Sequence, residues 1–336
     1  MAHRPLRPLQ LKWSAALTVI ALCSLELGVA TAYDAPTPML DKANEYNSLE
    51  HGEHQELLIL GTCLPEQIIQ RDLLEKTLGD VKAYNLATPA GTTRLMYLTM
   101  LHHVPEEAQV KAVVVPYGKR DLTKMMAPYE SQVMELATWE DLPELTEWAC
   151  DGDKTCTTEM VLRKASRAYR YRGYLANWFW QSLGSKPPIP GYVLSPGAVS
   201  PPALEGPPPD SMPGDPSAGP DWAPKVDPGQ NDANFTYLEA LLELADERDI
   251  RMVFVPLPER SVLDDSGDRP PPEPHEARYQ ESLKGVILNG GGELIDVYSI
   301  PSLTHLDFED DVHLNPRGRH LVTVAIGKAL AKHFSE

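Results

Sequence analysis

The sequence predicts an α/β fold: an open parallel sheet of five strands, with helices on both faces. Three observations carry that expectation. Five short apolar runs are rich in aliphatic and β-branched residues, and they are nearly continuous in their hydrophobicity, as strands buried on both faces are. Segments with helical spacing lie between them, and strands alternating with helices argue for parallel pairing. The chain has 336 residues, 42% of them hydrophobic, which is enough for a sizeable core.

The first 32 residues read as an export signal or an N-terminal membrane anchor. Arg4, Arg7 and Lys12 precede the apolar run Trp13–Leu22, and Ala30-Thr31-Ala32 offers the small residues that a signal peptidase reads. Cleavage is the favoured expectation. Anchoring is the alternative, because the apolar character extends from Trp13 to Ala32, about the ~20 residues of one span. Glu26 inside that stretch opposes a deep span, since a carboxylate there costs a few kcal/mol. Residues 33–54 are expected to form an exposed segment ahead of the main domain, 55–336.

Within that domain the predicted strands are Glu56–Leu60, Lys82–Ala87, Lys111–Pro116, Arg251–Pro256 and Glu293–Tyr298. Predicted helices are Glu66–Leu78, Thr92–His103, Thr157–Leu183, Asn234–Glu247, His275–Asn289 and Asn315–Phe334. The alternation breaks between the third and fourth strands. Residues 122–185 read as a helical insert, with a Tyr/Trp/Arg stripe at 169–180 that suits packing better than sugar stacking. Residues 187–228 hold fourteen prolines, so they cannot be helix or interior strand. They read as a disordered, proline-rich loop inside the domain, because the sheet needs strands from both sides of it.

The charge narrows the partners. The formal net charge is −18, and removing residues 1–32 leaves 27 basic against 47 acidic side chains, or −20. Such a body repels nucleic acid and anionic lipid surfaces, which confines membrane contact to the N-terminal segment. No His/Cys/Asp/Glu spacing suggests a metal, and Gly290-Gly291-Gly292 lacks the lysine of a phosphate loop. His102-His103 close a predicted helix and are expected to interact with its C-terminus. Of four cysteines, Cys150 and Cys156 have five residues between them and can close a small disulfide in an oxidising compartment. Cys63 is then left as either an inert packing residue or a reactive thiol.

Two segments are candidates for chemistry. In Leu60-Gly61-Thr62-Cys63-Leu64-Pro65, Gly61 permits a sharp exit from the first strand and Pro65 suits a helix start. A thiol at that turn meets the positive end of a helix, which favours the nucleophilic thiolate. Near the C-terminus stands Asp310-Asp311-Val312-His313-Leu314-Asn315-Pro316. A three-residue step lets Asp310 hold one imidazole nitrogen of His313, leaving the other to act as a base. Both segments follow strands and precede helices, at the sheet edge where α/β folds bind ligands. A small residue in a tight turn and an acidic helix cap are the structural alternatives.

These residues resemble the blocks of the SGNH (GDSL-like) hydrolases, whose Gly-Asp-Ser follows strand one and whose Asp-x-x-His precedes the last helix. Asn85-Leu86-Ala87-Thr88-Pro89-Ala90-Gly91 stands where that family keeps an oxyanion glycine, and Gly118-Lys119-Arg120-Asp121 where it keeps Gly-x-Asn-Asp. The resemblance covers about residues 55–334, apart from the insert. It implies a flavodoxin-like three-layer sandwich and a Cys63-His313-Asp310 triad. It also implies an oxyanion hole from Cys63, Gly91 and Arg120, with no cofactor. Three departures stand out: Thr62 for Asp, Cys63 for Ser and Arg120 for Asn. Cysteine supports the same acyl transfer, whereas loss of the Asn removes one oxyanion donor.

The expected function is an exported esterase or acyltransferase, acting on an acylated cell-envelope substrate such as O-acetyl carbohydrate. The alternative is a catalytically inactive domain that binds an envelope protein partner.

Overall fold

The computed structural model describes residues 38–88, 92–118, 130–150, 152–172, 233–257, 274–297, 302–310 and 313–334. It also describes 23–24, 26–29 and the single positions 122, 175, 260, 263 and 300. The chain forms two compact units, one of residues 38–137 with 209–336, the other of residues 1–37 with 138–208.

The first unit holds the sheet. In chain order its elements are α1 (Pro38–Asn47), β1 (Gln55–Ile59), α2 (Cys63–Ile68), α3 (Arg71–Leu78), β2 (Val81–Asn85), α4 (Thr93–His103), β3 (Val110–Tyr117) and α5 (Glu130–Leu136). In the second unit follow α6 (Leu142–Cys150), α7 (Lys154–Ala165) and α8 (Arg167–Arg170). The sheet unit resumes with α9 (Ala233–Glu247), β4 (Arg251–Pro256), α10 (Pro274–Asn289), β5 (Glu293–Leu294) and α11 (Pro316–Leu330).

All strand pairs are parallel, in the order β2-β1-β3-β4-β5. Alternate residues of each strand feed opposite cores, as the period of two demands. Leu58, Leu60, Val113, Val115, Met252 and Phe254 join one cluster with side chains of α4, α9 and α10. Leu57, Ile59, Ala112, Val114, Val253 and Val255 join the other with α2, α3 and α11. Both faces are therefore covered, and the predicted three-layer α/β architecture is the one observed. Strand order reverses between β1 and β3, and open parallel sheets bind ligands at the carboxyl ends of the strands at such a reversal.

Several elements differ from expectation. The predicted helix Glu66–Leu78 is two helices, because the Gln70 N–H leaves the helical ladder and donates to Thr323 Oγ1 at 3.2 Å. Gln70 accordingly adopts an extended conformation, φ −85° and ψ 96°. The predicted helix Thr157–Leu183 starts earlier, at Lys154, where the Asp153 carboxylate accepts the Thr155 N–H at 2.8 Å. It stops at Ala165, because Ser166 is extended and caps a new helix by accepting the Tyr169 N–H at 3.0 Å. The last strand has only two paired residues, held to β4 by Val253↔Glu293 and Phe254↔Leu294.

The segment 33–54, expected to be exposed, carries α1. Ala43 and Tyr46 of α1 are buried, and Tyr46 belongs to the α4/α9/α10 core. The insert 122–185, expected to be one helical excursion, is divided between the units: α5 stays with the sheet, and α6 to α8 group with the N-terminal residues. The proline-rich loop 187–228 lies outside the described residues.

Candidate active site

The carboxyl edge of β1 is shaped by Gly61. Its φ is +138°, and a Cβ there would stand 2.6 Å from Pro65 Cγ and 3.1 Å from the Pro116 carbonyl oxygen. Only glycine allows both the turn and that approach. The chain then enters α2 at Cys63, whose backbone is placed as the first helical residue; its side chain lies outside the described part.

Neighbouring loops are laced to this turn. The Leu86 N–H donates to the Ile59 carbonyl at 2.9 Å, and the Thr88 N–H donates to the Gly61 carbonyl at 3.2 Å. Asn85 accepts the Ala87 N–H at 3.0 Å and reaches the Pro65 carbonyl at 3.4 Å. On the other side, the Leu60 N–H donates to the Val114 carbonyl of β3 at 2.9 Å. The segment leading to Gly91 is thus fastened beside the β1 turn. Gly91 and Arg120 themselves lie outside the described residues.

Asp310 and His313 meet directly. Asp310 Oδ2 is 2.7 Å from His313 Nδ1, and Oδ1 accepts the His313 backbone N–H at 2.7 Å. One carboxylate thus fixes both the turn and the imidazole plane. The pair sits at the tip of a small antiparallel hairpin, closed by the bridge Phe308↔Leu314 and by the Glu309 N–H to the His313 carbonyl at 2.8 Å. The His313 side chain is 26% exposed. Among the described residues, nothing hydrogen-bonds its Nε2.

Around this hairpin stands a support that sequence reasoning missed. Asp307 is 1% exposed. Its carboxylate accepts the Thr304 N–H at 2.8 Å and the Thr304 hydroxyl at 3.1 Å, and it pairs with Arg317 in the first turn of α11. Its backbone carbonyl accepts the Asn315 N–H at 2.8 Å, while Asn315 caps α11 through the N–H groups of Arg317 and Gly318. Arg319 adds a pair with Glu309 at 2.6 Å. The local signal was Thr304-x-x-Asp307, a capping-box spacing. Its partner Arg317 is ten residues away and no local pattern names it.

Two hydrogen bonds tie the two chemistry-bearing segments together. Thr323, midway along α11, accepts the Gln70 N–H and donates to the Ile68 carbonyl at 3.3 Å. From Ile68 back to Cys63 is five residues, about 7.5 Å of helix; from Thr323 back to Pro316 is seven, about 10.5 Å. Both helices begin at the carboxyl edge of the sheet.

Elsewhere, Cys150 and Cys156 form a disulfide, S–S 2.01 Å. At the end of α4, where His102-His103 stand, Arg248 donates to the carbonyls of Met100, Val104 and Leu101. Burial, with His102 alongside, holds His103 below the ordinary imidazole range. Among the described residues no cluster of His, Cys, Asp or Glu could hold a metal ion, and no helix is long and apolar enough to cross a membrane.

No family model and no curated protein matches the chain. Solved structures do. One, described as an acylhydrolase of Bacteroides fragilis, aligns with 12% identity over 90% of this chain and 100% of its own, at a TM-score of 0.43. A GDSL-like lipase of Bacteroides thetaiotaomicron aligns with 11% identity over 88% and 97%, at 0.40. An α/β hydrolase enzyme from the metagenome of Lake Arreo aligns with 10% identity over 85% and 99%, at 0.39. Likeness at this level carries no chemistry with it.

Proposed function

We propose that this protein is an SGNH-type ester hydrolase or acyltransferase that works outside the cytoplasm. Its proposed substrate is an acylated component of the cell envelope, with O-acetyl carbohydrate as the first candidate. The observation that carries the reading is the Asp310–His313 contact, 2.7 Å from carboxylate to Nδ1. A carboxylate on Nδ1 selects the tautomer with its lone pair on Nε2 and stabilises the imidazolium that forms when Nε2 takes a proton. Such a pair, on the ligand-binding edge of a parallel sheet, is suited to general-base work.

In this mechanism His313 takes the Cys63 thiol proton, and the sulfur attacks the acyl carbon. The tetrahedral oxyanion is received by the N–H groups of Cys63 and Gly91, with Arg120 in place of the family's Asn. His313 returns the proton to the departing alcohol, leaving a thioester on Cys63. Water or an acceptor hydroxyl, deprotonated by His313, then releases the acyl group and restores the thiol. No cofactor takes part.

The test is thiol reactivity coupled to turnover. Rapid iodoacetamide alkylation of Cys63 at neutral pH, slowed in His313→Ala, together with hydrolysis of a short-chain aryl ester lost in Cys63→Ala, is the expected result. A slow thiol indifferent to His313, with no turnover by the wild type or by Cys63→Ser, would replace this reading with the inactive binding module.

A further inference from the structure

The N-terminal stretch enters the structure through an ionic contact, in a region where the sequence offers almost only apolar side chains. Glu26 is the one charged residue between Lys12 and Asp34. Its carboxylate lies on the turn joining α7 to α8, within one compact unit. One oxygen accepts the Ser166 hydroxyl at 2.8 Å and the Ala168 N–H at 3.2 Å, and the other accepts the Arg167 N–H. Ser166 in turn caps α8 through the Tyr169 N–H. Three positions after Glu26, Val29 is buried. Burial on its own would raise the Glu26 carboxyl, but the Ser166 hydroxyl, the Ala168 and Arg167 N–H groups and the Arg170 charge outweigh it and hold the group below the ordinary carboxylate range.

This contact competes with both fates expected for the leader. Cleavage after Ala32 would remove Glu26 and strip the Arg167 and Ala168 N–H groups of their acceptor. Insertion into lipid would place the same carboxylate where it has no donors. We propose that residues 26–29 remain in the mature protein as a strap, clasped by Glu26 onto the α7–α8 turn. The proposal stands apart from the acyl-transfer reading because it uses none of its residues.

Full-length protein with a C-terminal tag, produced in a secretion-competent bacterial host, provides the test. Trypsin digestion of the purified protein after denaturation should yield the intact peptide Trp13–Lys42. A mature chain that begins at Tyr33 overturns the proposal. Amide hydrogen exchange gives a second reading: in Glu26→Ala, exchange at Arg167 and Ala168 should quicken about tenfold, with α6 unchanged. Unaltered exchange there overturns the clasp. Should that variant not fold, Ser166→Ala removes a single donor and should loosen the same two amides to a smaller degree; no loosening in it again counts against the clasp.

Discussion

Asp310 and His313 show how much one carboxylate can decide. Asp310→Asn keeps the shape of the side chain but can offer its amide N–H to Nδ1, which favours the wrong tautomer. Turnover of an aryl ester is expected to fall by about 10²–10⁴-fold, with Cys63 alkylation slowed in parallel and little change in thermal midpoint. Asp307 has the opposite profile. In Arg317→Ala its buried carboxylate keeps the Thr304 bonds and loses its cation, a loss of about 2 kcal/mol, tempered because Arg317 is itself more than half exposed. Denaturant melting would register that cost, and alkylation would report whether the hairpin has moved. The Asp310-x-x-His313 spacing was legible because it is local. The Asp307–Arg317 pair was not, because it joins a turn to the following helix across ten residues.

At the scale of elements, the hairpin depends on how closely it approaches α11. A Cβ on Gly318 would stand 2.5 Å from the Asp307 carbonyl oxygen, and that backbone oxygen is held by the Asn315 N–H. Gly318→Ala should gain up to about 1 kcal/mol of helix propensity and lose more, about 1–3 kcal/mol, to overpacking. Net destabilisation with lower Cys63 reactivity is the expected outcome, read by urea melting and alkylation rate. Gly327 plays the same part between α11 and α3, where a Cβ would meet Thr77 Cγ2 at 2.8 Å. Element boundaries were the least legible feature. The break at Gln70 is set by Thr323, 253 residues away, and no local propensity encodes a hydrogen bond of that span.

On the scale of the whole molecule, the ionisable groups set a pH window. In the sheet unit, Glu293 is raised by burial but brought below its ordinary value by Lys332 and His333. A lowered carboxyl contributes stability above its unfolded value and loses it as pH falls. His103 is also lowered, so the unfolded chain binds its proton first and stability drops below about pH 6.5. Tyr46 acts at the other end. Burial, then its hydrogen bond to Glu56 at 2.5 Å, pushes its phenol well above the ordinary range. The unfolded phenol therefore ionises first, and stability declines as pH rises past about 10. Urea midpoints for the sheet unit should fall below pH 6.5 and above pH 10, with the alkaline decline reduced in Tyr46→Phe. In the helical unit, Glu26 and Glu159 are lowered while Glu144 is raised by burial, Asp141 and Glu147.

Sequence alone determined the layered α/β architecture, because continuous apolar runs and helical periodicity are local consequences of burying strands on two faces. It also determined the Asp310–His313 pairing, which needs only a three-residue turn. Tertiary structure decided the rest. It broke the second predicted helix at Gln70, buried α1 through Tyr46, supported the His313 hairpin with Asp307 and Arg317, and seated Glu26 on the α7–α8 turn. Each of these depends on a hydrogen bond or packing contact whose partner is chosen by the folded chain, and a buried donor or charge takes whichever partner the fold brings within 3 Å or so.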